Sequence, residues 1–228
     1  SILCEAAGAA GVDRILFTSA VAVYGSQPRS MDEETSHDYF NEYGRTKHLA
    51  EGVFHNWLER GSERQLTILR PTVVFGPGNR GNVYNFLRQL KHGPRVRIGD
   101  GRNVKSMAYV ENIAAFIAFL VRRPARYEVF NYADKPDCNV RELIAHIDAA
   151  LGRPQNARLT IPYPLGLLMG YGFDALGFVL RRPLPISAVR IRKLCSPSEI
   201  NAERAFATGF IAPVDLRAGL TDMINNQV

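Results

Sequence analysis

Two long apolar runs, rich in β-branched residues, constrain the fold more than any other feature of this sequence. Residues 15–25 (ILFTSAVAVYG) and 66–76 (LTILRPTVVFG) both end in glycine. Runs of this kind are typical of strands that are covered on both faces, as in a parallel sheet. A shorter run at residues 127–133 predicts a third strand.

Helical patterns alternate with these strands. Residues 41–60 predict one long helix, residues 82–93 a second and residues 111–123 an apolar third. Asn139 and Glu142 have the spacing of a capping box at the start of a further helix. Strands that alternate with helices imply an α/β fold with a parallel sheet.

Composition narrows the classes of function. The three cysteines are scattered without a CxxC pair, which disfavours disulfides and zinc and indicates a reducing cytosol. The five histidines show no metal-ligand spacing, so no metal site is predicted. A net charge of +6 permits an anionic partner, but the basic residues are dispersed. The sequence therefore predicts a cytoplasmic protein that binds phosphates on a small substrate rather than nucleic acid. No signal peptide is expected at the start of the chain.

Residues 161–180 (IPYPLGLLMGYGFDALGFVL) are the one candidate membrane segment. The run is long enough to span a bilayer, but it contains two prolines, four glycines and Asp174. This composition favours a buried or substrate-covering helical hairpin over a spanning helix. Peripheral contact with a membrane remains an alternative.

The residues Tyr43-Gly-Arg-Thr-Lys47 carry the strongest indication of chemistry. At positions i and i+4 of a helix, the two side chains lie on one face with their Cβ atoms about 5–6 Å apart. The lysine ammonium stabilises a tyrosinate, so the tyrosine can take a proton from an alcohol as hydride leaves or donate one to a ketone as hydride arrives. Alone the motif is weak, because a surface helix can contain it by chance.

The order of several motifs makes the pattern specific. Tyr43 follows Tyr24 by nineteen residues, with an acidic loop between them, and LRPTVVFGPGN comes after the helix. GDGRNVKSMAYVENIAAFI and AERAFATGFIAP follow in turn. Together these segments resemble the extended short-chain dehydrogenase/reductase family, in particular its nucleotide-sugar epimerases, dehydratases and reductases. The resemblance covers nearly the whole chain, except that we expect the chain to begin after the family's dinucleotide-binding glycine loop.

The resemblance implies a domain organisation and a cofactor. Residues 1–80 and 106–135 are expected to form the remaining part of a dinucleotide-binding Rossmann domain. Residues 81–105 and 136–228 are expected to form a smaller, mainly helical substrate-binding region. The implied protein is a homodimeric epimerase or 4-keto reductase that uses NAD or NADP and acts on a nucleotide-activated sugar.

The resemblance also assigns roles to individual residues. Tyr43 becomes the acid/base, and Lys47 assists it and holds the nicotinamide ribose. Pro71 and Thr72 are expected beside the nicotinamide.

Three more residues are expected to bind the substrate. The resemblance places Asn82 and Lys105 near the substrate diphosphate, where a cation is useful. Lys105 could equally be a solvated surface lysine. Tyr24 is a candidate substrate contact, although packing at the end of the strand is its more common role.

One position departs from the family pattern. Members usually have a serine or threonine four residues before the tyrosine that ends the first strand, and here that position is Ala20. Ser19 is the candidate substitute, but neighbouring residues of a strand point to opposite faces. Either Tyr43 and Lys47 work alone, or the site is impaired and the chain is a non-catalytic dinucleotide-binding or regulatory module.

Two further alternatives complete the hypotheses. Gly76 to Gly81 match the GxGxxG fingerprint, with Asp100 about twenty residues later. Too few parallel strands follow for a dinucleotide fold, so these glycines are predicted to form a turn that lines the substrate site. A hydroxysteroid-type dehydrogenase shares the same motifs and is the alternative enzyme.

Overall fold

A computed structural model describes residues 2–25, 30–39, 41–92, 96–153, 159–182, 184 and 186–227. The chain divides into two compact units. The first comprises Ser1–Asn79, Ser106–Asp137 and Glu199–Leu220, and the second comprises Arg80–Lys105, Cys138–Ser198 and Thr221–Val228.

The elements alternate along the chain. The helices are α1 Ile2–Ala9, α2 Glu42–Glu59, α3 Asn82–His92, α4 Val110–Val121, α5 Val140–Ala150, α6 Tyr163–Val179, α7 Ala188–Cys195, α8 Glu203–Ala207 and α9 Leu216–Gln227. The strands are β1 Arg14–Thr18, β2 Gln65–Pro71, β3 Val73–Phe75, β4 Val96–Ile98, β5 Val104–Lys105, β6 Met107–Tyr109, β7 Tyr127–Tyr132, β8 Cys138–Asn139 and β9 Leu159–Ile161.

A three-stranded parallel sheet in the order β1-β2-β7 forms the centre of the first unit. Both of its faces are covered, since alternate residues of β2 point to opposite sides. Leu66 and Ile68 pack with Phe54 and Trp57 of α2. Leu69 belongs to a second cluster, built around α4. The α/β fold with a buried parallel sheet, predicted from the apolar runs, is confirmed.

The predicted strands 15–25 and 66–76 are both too long. The first strand ends at Thr18, and a 3₁₀ helix follows at Val21–Tyr24. Val23 and Tyr24 are buried in a separate apolar cluster, so their apolar character reflects loop packing rather than strand pairing. The second run divides into β2 and β3, because β3 pairs with β6 and leaves the main sheet.

Residues 199–220, which the sequence assigns to the substrate-binding region, pack in the first unit instead. Ala205 of α8 and the following Phe210 are buried with Phe116 of α4 and with Phe130 and Tyr132 of β7. The aromatic residues of this tail therefore complete the core beneath the sheet.

The second unit contains two small sheets, β4 with β9 and β5 with β8. The predicted capping box is confirmed, because Asn139 accepts from the N–H of Glu142 and the Glu142 carboxylate accepts from the N–H of Asn139. α3 extends to His92, and its predicted end at Gly93 lies outside the described residues.

The prediction of a helical hairpin, buried or substrate-covering, within residues 161–180 is wrong in its hairpin. These residues form one helix, α6, of 17 residues, in which only Gly166 and Gly170 are buried. The prolines do not interrupt it, because Pro162 is the N-cap and Pro164 lies in the first turn, where a missing N–H breaks no bond. Within the described parts of the chain, no helix combines the length and the apolar character needed to cross a bilayer.

Candidate active site

Tyr43 lies in the first turn of α2. The Asn41 side chain caps this helix by accepting a hydrogen bond from the N–H of Gly44 at 2.8 Å. Gly44 permits the close approach of α2 to the 3₁₀ helix, since a Cβ there would lie 2.4 Å from the carbonyl oxygen of Ala22. The Tyr43 side chain is 55% exposed, so its hydroxyl is available to a substrate.

Lys47 follows one turn later on the same face of α2. Its Nζ donates a hydrogen bond of 2.9 Å to the carbonyl oxygen of Thr18, the last residue of β1. The same nitrogen lies 5.9 Å from the centroid of the Tyr43 ring and 5.1 Å from that of Phe17. The structure thus brings the two predicted residues together and fixes the ammonium at the carboxyl edge of the parallel sheet. Open α/β sheets bind their ligands outside this edge.

Ser19 and Ala20 continue the chain from β1. Ser19 is 2% exposed, and its Oγ has no hydrogen-bond partner among the described residues. Its N–H donates to the carbonyl oxygen of Leu69 at 2.7 Å. Ala20 has extended dihedral angles, so its Cβ and that of Ser19 point to different sides. A buried hydroxyl without a partner costs about 1–3 kcal/mol, which makes Ser19 notable.

Pro71 and Thr72 lie where β2 ends. Both are buried, and the Thr72 Oγ1 donates to the carbonyl oxygen of Ser106 at 2.9 Å. The N–H of Thr72 donates to the carbonyl oxygen of Tyr132 at 3.0 Å. These two residues therefore shape the carboxyl edge of the sheet through the backbone and through packing.

The structure favours the packing role for Tyr24. Its side chain is fully buried, and its hydroxyl donates to Oδ1 of Asn131 at 2.8 Å and accepts from Arg70 at 2.7 Å. Burial raises the pKa of Tyr24, against the opposing effect of Arg70. No side-chain surface of Tyr24 remains open to a substrate.

A buried ion pair between Glu51 and Arg70 was missed by the sequence analysis. The guanidinium of Arg70 donates to both carboxylate oxygens of Glu51, at 2.9 Å and 2.6 Å, and both side chains are almost fully buried. Although burial opposes the charge, the bonds to Glu51 and Tyr24 raise the pKa of Arg70. Glu51 lies in α2, four residues beyond Lys47, and its ion pair with Arg70 joins this helix to β2. The periodic spacing of residues 43, 47 and 51 on one helix face was the available signal.

Glu51 also lies close to two histidines. Ligand atoms of His37, His48 and Glu51 all lie within 4.8 Å of one another, a grouping that the sequence spacing did not predict because His37 comes from a loop. Both Glu51 oxygens already accept from Arg70, and that guanidinium would repel a cation. Burial and the charge of Arg70 lower the pKa of His37. We therefore assign no metal to this cluster.

Two predicted substrate residues belong to the second unit. The Nζ of Lys105 donates to the carbonyl oxygens of Lys193 and Ser196, at 2.8 Å and 2.6 Å, and burial lowers its pKa. It is therefore not the solvated surface lysine of the alternative interpretation, because it holds the C-terminal end of α7. Asn82 is exposed and begins α3.

The glycines after β3 form a turn. Gly76 and Gly78 both have positive φ angles, and the N–H of Asn79 donates to the carbonyl oxygen of Gly76 at 3.2 Å. β3 pairs only with β6 among the described strands, so this loop does not open a dinucleotide-binding sheet.

Comparison with known proteins identifies the family. The model of the NAD dependent epimerase/dehydratase family matches residues 1–133. The chain is 45% identical to N-acetyl-α-D-glucosaminyl-diphospho-ditrans,octacis-undecaprenol 4-epimerase of Escherichia coli O157:H7, over 92% of this chain and 64% of that protein. It is 28% identical to UDP-glucose 4-epimerase of Vibrio cholerae, over 65% of this chain and 43% of that protein.

Among solved structures, UDP-glucuronic acid 4-epimerase from Bacillus cereus, in complex with UDP-glucuronic acid and NAD, shares the fold. It has a TM-score of 0.70 at 18% identity, over 99% of this chain and 66% of that one. The chain thus spans about two thirds or less of the length of the relatives it matches. With the family model covering more than half of its residues, this chain belongs to the NAD-dependent epimerase/dehydratase family.

Proposed function

We propose that the protein containing this chain is an NAD-dependent 4-epimerase of a sugar that is joined to its carrier through a diphosphate. The observation that carries the proposal is the exposed Tyr43 beside Lys47, with the lysine fixed at the carboxyl edge of the parallel sheet. The names of two relatives support the reaction, since both act as 4-epimerases on a diphosphate-linked sugar.

The residues at this edge fit the nicotinamide end of the cofactor. Lys47 presents an ammonium for ribose hydroxyls at the end of β1, and Pro71 ends β2, the neighbouring strand, with Thr72 directly after it. When bound, NAD accepts a hydride from the sugar carbon and returns it.

Tyr43 then acts as the acid/base. As its oxygen takes the proton from the C4 hydroxyl, the hydrogen on C4 leaves as hydride and C4 becomes a carbonyl. As the hydride returns to the opposite face of C4, Tyr43 would give the proton back to the oxygen, which becomes the hydroxyl of the 4-epimer. Lys47 stabilises the tyrosinate that exists before the first proton transfer and after the second, and the cycle involves no net oxidation.

The carrier of the sugar is either a nucleotide or a polyprenol. The relative at 45% identity is named for a polyprenol-linked sugar, which favours a lipid carrier, whereas the relative at 28% identity is named for UDP-glucose. Both carriers present the same diphosphate. We propose Asn82 as one of its contacts, because the first turn of a helix favours anions.

The test uses the full-length protein with catalytic amounts of NAD. UDP-N-acetylglucosamine and N-acetylglucosaminyl-diphospho-polyprenol are offered separately, and the 4-epimer is quantified. A 4-keto reductase would instead consume reduced cofactor in proportion to product. Tyr43→Phe should lower turnover by about 10²–10⁴-fold, the usual contribution of acid/base catalysis.

Tyr127→Phe is the matched control. Tyr127 is comparably exposed, but it is the first residue of β7 and so lies at the amino edge of the parallel sheet, away from the carboxyl edge where Lys47 binds. Its turnover should match that of the parent. The proposal fails if Tyr43→Phe stays within about threefold of the parent, far below the usual contribution of an acid/base.

A further inference from the structure

Helix α6 packs through its glycines. A Cβ at Gly166 would lie 2.5 Å from the side chain of Ile98, and one at Gly170 would lie 2.8 Å from the backbone of Ala188 in α7. The Oδ2 of Asp174 accepts from the N–H of Ala188 on the same side. These contacts define the inner face of the helix.

The outer face of α6 is apolar and exposed. With about 100° between successive residues, the side chains opposite Gly166 and Gly170 lie on one broad face. Its most exposed members are Leu168 at 67%, Phe178 at 86% and Val179 at 74%. The face also includes Leu165, Tyr171 and Leu176. Large contiguous patches of exposed apolar side chains mark sites of interaction with a protein, a ligand or a membrane.

Basic residues border this face. Residues 161–198 contain five arginines and lysines but only one acidic residue, Asp174. Arg181 and Arg182 follow the end of α6, and α7 exposes three more basic side chains, Arg190, Arg192 and Lys193. The guanidinium of Arg192 donates to the Tyr171 hydroxyl and lies 5.7 Å from the centroid of that ring, so α7 brings positive charge to the apolar face.

Arg181 occupies a backbone position that favours glycine. Its φ angle is 52°, and its N–H and that of Arg182 close the end of α6 by donating to the carbonyl oxygens of Phe178 and Gly177. Glycine is the usual residue here, because a side chain in this conformation is strained.

From this combination we propose that α6 and α7 form a docking surface for an anionic lipid bilayer, with α6 lying along the interface. The apolar face of α6 can contact the acyl chains of the bilayer, and the arginines at its border can pair with the anionic headgroups above them. A second copy of the chain would present the same positive charge, which opposes that occupant. This docking goes beyond the proposed reaction. Vesicle binding is measured without turnover, so a failure of the docking proposal leaves the proposed reaction untouched.

The test is sedimentation of the full-length protein with vesicles, either of phosphatidylcholine alone or with 30 mol% phosphatidylglycerol. We expect binding to the anionic vesicles that weakens as salt is raised. Leu168→Gln with Phe178→Gln should reduce the partition coefficient by about a hundredfold or more. Arg181→Gly with Arg182→Gln should reduce it by about 25-fold, at about fivefold for each charge.

Two controls separate docking from misfolding. Arg181→Gly alone should weaken binding by about fivefold without lowering the unfolding midpoint in urea, since glycine suits this position. Ile211→Gln replaces another highly exposed apolar residue, in the first unit, and should leave vesicle binding unchanged. Absence of binding to anionic vesicles would overturn the inference. So would α6 variants that bind vesicles like the parent, or that only convert an oligomer to a monomer in light scattering.

Discussion

The buried pair of Glu51 and Arg70 provides a sharp test of how α2, the helix that contains Tyr43 and Lys47, is held against the sheet. Replacing Glu51 by Gln removes the negative charge and leaves Arg70, which is 4% exposed, without its counterion. In the parent, the two oxygens of Glu51 accept from Arg70 at 2.9 Å and 2.6 Å. In Glu51→Gln, an amide N–H₂ replaces one of these oxygens and faces the guanidinium, so that hydrogen bond is lost.

The expected loss is large because the remaining charge stays buried. Removing one partner of a buried ion pair typically costs about 3–5 kcal/mol. Replacing both, as in Glu51→Leu with Arg70→Met, removes the unpaired charge and should bring stability back to within about 1 kcal/mol of the parent. The two substitutions should therefore be strongly non-additive.

Urea unfolding of the full-length protein, followed by tryptophan fluorescence, measures these differences. Trp57 lies in α2 and packs against β2, so it reports on this contact. Glu42→Gln is the matched control, because Glu42 forms an exposed pair with Arg45 on the same helix and should change stability far less. A loss below about 1 kcal/mol for Glu51→Gln, or additive effects in the double variant, would refute the reasoning.

Three further predictions concern the site and the core. Ala20→Ser should raise the rate of hydride transfer by up to ~10²-fold if the missing hydroxyl limits the chemistry; an unchanged single-turnover rate would show that Tyr43 suffices. Ser19→Ala should leave stability unchanged or improve it, because the buried Oγ has no partner among the described residues; a urea midpoint well below that of the parent would indicate a contact that we do not describe. Burial raises the pKa of Asp134, so its ionisation opposes folding as pH rises through the folded-state pKa. Relative to the parent, Asp134→Asn should therefore gain stability as pH rises above the ordinary aspartate pKa of about 4, and a difference in urea stability that is constant with pH would contradict this.

Local patterns in the sequence predicted local structure well. The capping box at Asn139 depends on residues three positions apart, and the Tyr43–Lys47 pair depends on one helical turn, so the spacing alone was enough. The parallel sheet was predicted from the unbroken apolar runs, because a strand that is covered on both faces needs apolar residues at successive positions.

Contacts between distant parts of the chain could not be predicted in the same way. Glu51 and Arg70 are nineteen residues apart, and the partner of Lys105 is the backbone of residues 193 and 196, which no side-chain pattern reveals. The apolar character of residues 161–180 suggested burial, but hydropathy does not tell which face of a helix finds a partner. On α6 the glycines pack inward and the large apolar side chains remain exposed.

The central claim, internal hydride transfer at C4 with Tyr43 as acid/base, is tested most directly by isotope exchange. The full-length protein is incubated in D₂O with NAD and a diphosphate-linked N-acetylglucosamine, and the products are followed by NMR. The account predicts a 4-epimer that retains protium at C4, since the hydride leaves and returns without meeting solvent, and an epimer that forms at least about a hundredfold more slowly with Tyr43→Phe. Deuterium at C4 of the epimer, or a rate with Tyr43→Phe within about threefold of the parent, would contradict it.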